Sequence, residues 1–181
     1  TAVRLDDVSL LERAMAEKGP SIFAGTRPET IVRAAERDFG SCLRLLARGG
    51  ADLNAIAGEW HALSAAAAAN RCDALEALLE AGITADVPSP SGTTALLAAV
   101  RGAHLEAARL LLEAGADPNQ RDDARRGALH EATSRGLADM VSLLLQHGAE
   151  VDLTDVDGRQ ALNLALDSQD RTVVEILARE G

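Results

Sequence analysis

The stretch from Gly92 to Asn119 reads GTTALLAAVRGAHLEAARLLLEAGADPN: a short apolar run closing at Gly102, then a longer one closing at Gly115. The closing glycine recurs along the chain. Gly82, Gly115, Gly148 and Gly181 are 33 residues apart, and Gly50 precedes Gly82 by 32. Leu63, Leu96, Leu129 and Leu162 keep the 33-residue step, as do Ala66, Ala99, Ala132 and Ala165, and Leu78, Leu111, Leu144 and Leu177. A fixed period in this range marks a solenoid, in which each unit buries its apolar face only against its neighbours.

Within the quoted unit, Ala95 to Arg101 reads as a first helix and His104 to Ala114 as a second. Leu105, Ala108, Leu111 and Leu112 fall at helical spacing in the second, and Gly115 stops it in a left-handed cap. Each unit is therefore helix, short turn, longer helix and polar loop. The loops, such as Ala116 to Asp123, are rich in turn formers and project as fingers. The frame predicts five units at about 24–54, 55–87, 88–120, 121–153 and 154–181, together an all-α solenoid over residues 24–181. Pro28 can open the first helix of unit one without losing an intrahelical bond. Residues 1–23 fit the frame poorly. A short amphipathic helix between Leu5 and Lys18, ended by Gly19-Pro20, reads as an amino-terminal cap or as the worn second helix of a cryptic unit. At the other end Arg171, Thr172 and Glu175 among apolar residues make the last helix partly polar, as a terminal cap requires.

Hydrophobic residues make up 47% of the chain but aromatics only 2%, so packing falls to Ala and Leu in close helix contacts. A net charge of −10 and a pI near 4.8 argue against holding nucleic acid through its phosphates. No apolar run approaches the roughly 20 residues that span a bilayer, and Thr1 to Lys18 lacks the pattern of a signal peptide. A location in the cytoplasm, or in the nucleus, is expected. Cys42 and Cys72 read as small buried hydrophobes in a reducing compartment, with a disulfide or a catalytic thiol as the alternative.

These residues resemble the ankyrin repeat, whose unit is a β-turn finger followed by two antiparallel helices. Gly92, Thr94 and Leu96 match that family's opening motif in unit three, and His104 with LeuLeuGluAlaGlyAlaAspProAsn matches the rest. Asp122, Leu129, His130 and Gly136 match in unit four, and Asp155, Gly158 and Leu162 in unit five. Where the family has a turn-bracing Thr, Glu29, His61, Gly127 and Gln160 stand instead, so units one, two and five are expected to be less rigid than unit three.

The resemblance implies a non-enzymatic protein-interaction module, a scaffold or adaptor that binds a protein or peptide in a concave groove of fingers and first helices. The other function it suggests is the recognition or autoinhibitory part of a larger enzyme or ubiquitin-ligase adaptor. By register, Trp60, Thr93, Arg126 and Arg159 fall on the fingers, and Arg37, Arg101 and Arg135 near the ends of first helices. This arginine-rich face in an acidic monomer suggests a partner with an acidic segment, unless the arginines simply pair with Asp123, Asp157 or Asp167. Trp60, the only tryptophan, is the strongest single candidate, its competing role being burial against the polyalanine helix of unit two. No cofactor or metal is expected: His61 and Cys72 lack ligand-pair spacing, and there is no phosphate loop or nucleophile elbow. Asn54 and Asn119 hold the loop place that an asparaginyl hydroxylase sometimes modifies in that family, or else stabilise a turn.

Overall fold

A computed structural model describes residues 8–19, 21–54, 56–58 and 60–180. Helix α1 runs Val8–Lys18, so the expected start at Leu5 lies outside the described residues. Five helix pairs follow: α2 (Pro28–Glu36) with α3 (Gly40–Arg48), α4 (Ala62–Ala68) with α5 (Cys72–Glu80), α6 (Ala95–Arg101) with α7 (Leu105–Glu113), α8 (Ala128–Ser134) with α9 (Ala138–Gln146), and α10 (Ala161–Asp167) with α11 (Arg171–Glu180). From α4 onward, first helices begin at residues 62, 95, 128 and 161, and second helices at 72, 105, 138 and 171. The sequence period is thus the structural period.

The pairs stack in two rows. Each first helix packs on the next, from α2 through α4, α6 and α8 to α10, and each second helix does likewise from α3 to α11. Helix α1 extends the second-helix row, packing on α3 with Leu11 against Cys42 and Leu45. That is the position of a second helix. A continuous apolar core runs from Ile31 to Leu177, and its first-helix half is alanine-rich, which lets neighbouring helices approach closely.

Local chemistry explains where each helix ends. Second helices close on Gly50, Gly82, Gly115 and Gly148, all at positive φ between 77° and 89°, a conformation that costs glycine little. The turn inside each pair also has one left-handed residue: Asp38, Asn70, Ala103, Gly136 and Gln169. At helix starts, Thr94 accepts from the Leu97 amide at 3.2 Å. Where Thr is replaced, the side chain at the third helical position reaches back instead, Ser64 accepting from the His61 amide at 3.2 Å and Asn163 from the Gln160 amide at 2.9 Å. Units two and five thus have a substitute for the missing Thr at these helix starts. The first helices of units one and four, which start after Arg27 and Gly127, have no side-chain cap.

The last helix is partly polar, as its sequence suggests. Arg171, Thr172 and Glu175 are exposed on α11, and Leu162 and Leu166 are exposed on α10. No helix among the described residues is long and apolar enough to cross a membrane.

Candidate partner-binding groove

The fingers of units two to five are tight hairpins. In unit two, β1 (Ile56–Ala57) pairs antiparallel with β2 (Trp60–His61). In units three to five the outgoing residue donates its amide to the returning carbonyl: Ser89 to Thr93 at 2.9 Å, Asp122 to Arg126 at 3.1 Å and Asp155 to Arg159 at 3.0 Å. The side chain of the outgoing residue completes the turn. Asp122 Oδ1 accepts from the Ala124 and Arg126 amides, Asp155 Oδ1 from those of Asp157 and Arg159, and Ser89 Oγ from that of Thr93. Trp60, Thr93, Arg126 and Arg159 thus share one structural position, the returning limb.

Three of the seven candidate residues meet. Trp60, Thr93 and Arg101 line a groove of about 360 Å³, with Ala68 and Ala98 as small apolar walls and Ser64, Ser89 and Ser91 as hydroxyl-bearing ones. The two flanking first helices carry alanine there, and these small side chains leave room for the groove. Trp60 is 40% exposed, so the polyalanine helix does not bury it. A polar rail runs along the groove: Ser89 Oγ to Ser91 Oγ at 2.9 Å, Ser91 Oγ to Thr93 Oγ1 at 3.3 Å, and Arg101 Nη1 donating to Thr93 Oγ1 at 3.0 Å.

Three of the five arginines, Arg101, Arg126 and Arg159, are already paired with acids. Arg101 Nη2 lies 2.6 Å from Asp122 Oδ2, Arg126 Nη2 lies 3.4 Å from Glu131 Oε2, and Arg101 Nε is 3.9 Å from the same Glu131 oxygen. Arg159 meets Asp155 and Asp157, each at 3.0 Å. Two arginines against two carboxylates in one cluster, and one against two in the other, leave no surplus of positive charge. Asp157 is a partner that the spacing suggested, whereas Asp122, Glu131 and Asp155 are not. The fourth candidate arginine has another task. Arg135 Nη1 donates to the carbonyls of Val100 (3.2 Å) and Arg101, capping the carboxyl end of α6 in the preceding unit.

His61, unexplained by the sequence, is buried and bridges units: Nδ1 lies 3.2 Å from the Asn54 carbonyl and Nε2 3.2 Å from that of Pro88. His130 does the same toward the Arg159 carbonyl at 3.2 Å. Asn119 is also structural. Its Nδ2 donates to the Gly148 carbonyl at 3.1 Å and its Oδ1 accepts from the Glu150 amide at 2.9 Å. Cys42 and Cys72 are in no disulfide, and burial, with nearby Glu106, pushes the Cys72 thiol up, the reverse of what a nucleophilic thiolate needs. Among the described residues no three His, Cys, Asp or Glu side chains are grouped so as to hold a metal ion.

A family model for ankyrin repeats, three copies long, matches residues 31–122 and again residues 120–181. The chain belongs to the ankyrin-repeat family. Ankyrin repeats are generally protein–protein interaction modules, and the finger-and-helix groove described above is built from their repeated parts. None of the curated proteins compared with the chain matches it.

Proposed function

We propose that this ankyrin array is a docking module without catalysis of its own, holding a segment of a partner protein in the groove between Trp60 and Arg101. The observation that carries the reading is an indole left 40% exposed at the mouth of a groove floored by alanine. A large aromatic that the fold does not bury, beside small walls and adaptable hydroxyls, has the composition of an interface anchor. The inserted side chain is apolar and uncharged. Arg101 and Arg126 are neutralised by Asp122 and Glu131, which supports such an insert over the acidic segment that the arginine count suggested. Hydroxyls of Ser91 and Thr93 are suited to the backbone of an extended segment, since each can donate or accept.

Panning a random-peptide display library against the intact chain tests this. Selected ligands should lose at least about tenfold in affinity on Trp60→Ala and stay within about twofold on Arg135→Ala. Ligands indifferent to Trp60→Ala would locate docking elsewhere and end the reading.

A further inference from the structure

We infer that Arg125, at the tip of the fourth finger, is a specificity-determining contact that takes a carboxylate of the docked segment, a few residues along from the side chain held in the groove. This rests on the docking groove proposed above. Two observations carry it, and the first is conformational. In the fingers of units three to five the same turn is closed by an amide donating three residues back: Gly92 to the Ser89 carbonyl at 2.8 Å, Arg125 to that of Asp122 at 2.8 Å and Gly158 to that of Asp155 at 3.1 Å. The donating residue is left-handed each time, with φ of 75°, 55° and 75°, a conformation that suits glycine and that a Cβ makes costly. Arg125 thus stands where a glycine would serve the turn better.

The second observation is electrostatic. Arg101, Arg126 and Arg159 are neutralised by acids, but the exposed Arg125 guanidinium has no ion-pair or hydrogen-bond partner among the described residues. Arg121, exposed on the outgoing limb, is unpaired as well, and the exposed Asp123 offsets only one of the two. The finger therefore keeps a positive surplus in a chain of net charge −10. The Arg125 side chain burdens the backbone and joins nothing within the fold; what it adds is a set of donors held out at the tip, in the fork that fits a carboxylate. The tip is continuous with the groove. Arg101 on the groove wall is tied to Asp122 at the base of the same finger, and a Cβ at Gly92 would lie 3.3 Å from the Asp122 Cα. Neighbouring units repeat at about 10 Å and an extended chain rises about 3.3 Å per residue, so the carboxylate belongs about three to five residues from the apolar insert.

Peptides selected from a random display library on the intact chain test this. Those that lose affinity on Trp60→Ala should carry an Asp or Glu at that spacing, and Arg125→Gly should weaken them at least about threefold while leaving the urea midpoint unchanged or higher. Exchanging the peptide's carboxylate for its amide should weaken binding to the wild type equally, and should make no further difference against Arg125→Gly. Trp60-dependent peptides that lack such a carboxylate, or that bind Arg125→Gly as well as the wild type, overturn this inference and leave the groove standing. A lower urea midpoint on Arg125→Gly would make the residue structural and overturn it too. Peptides indifferent to Trp60→Ala overturn both readings.

Discussion

Ala103 occupies the left-handed turn of unit three at a φ of 56°, where unit four has Gly136 at 66°. A Cβ in that region costs about 1 kcal/mol, and Ala103 is exposed with no interaction there to offset it. Ala103→Gly should therefore stabilise the chain by about 1 kcal/mol in urea unfolding, less the added entropy of the unfolded chain. An unchanged or lower midpoint would contradict this. Asp155 supports a pH prediction. The Arg159 amide does most to hold its carboxyl below the ordinary range; burial opposes this, and the Asp157 amide and Arg159 guanidinium assist. Because the folded value lies below the unfolded value of about 3.9, the contribution is complete above that pH and is lost as pH falls through the folded value. Asp155→Asn keeps an acceptor but removes the charge, so its stability should fall less steeply than the wild type's below about pH 4. Parallel stability–pH curves from chemical unfolding would reject that cause. The repeat frame revealed the position of Asp155 in the sequence. It did not reveal the hydrogen bonds, because turn geometry decides which amides converge on one oxygen.

Helix ends in this array are finished by the neighbouring unit. Arg71 Nε donates to the Glu36 carbonyl at 2.9 Å, His104 Nε2 lies 3.1 Å from that of Ala68, and Arg135 serves α6. Arg71 and His104 share a register position, but Leu137 stands there in unit four, and Arg135 reaches in from two residues earlier. Spacing shows where the Arg135 side chain starts, not which carbonyl its five donors find. Unit three has a Thr cap, this arginine cap and a neighbour on each side, and residues Ala95 to Val100 of α6 are all buried. Amides of α6 and α7 should therefore exchange slowest with deuterium, and Arg135→Ala should speed the last turn of α6 by about tenfold, the loss of roughly one hydrogen bond. Uniform protection across the five units would contradict the ranking.

At the scale of the whole molecule, periodicity alone made the stack legible, since apolar positions 33 residues apart can all be buried only if the units are laid side by side. The candidate site was half legible. Register grouped Trp60, Thr93 and Arg101, but their groove exists because the facing helices present Ala68 and Ala98, and the charge balance depends on Asp122 and Glu131 from the next unit. The exposure of Leu162 was not legible, because it looks like every other leucine of its column until its neighbours are counted. The central claim is that the groove at Trp60 is where a partner docks, and the chain has a single tryptophan to report on it. The most direct measurement is the emission of Trp60 while a selected peptide ligand without tryptophan is titrated onto the intact chain. Docking in the groove predicts a saturable blue shift as the exposed indole is covered, with a midpoint equal to the binding constant found by calorimetry. Saturation by calorimetry with the emission unmoved would show that the partner binds elsewhere and contradict the account.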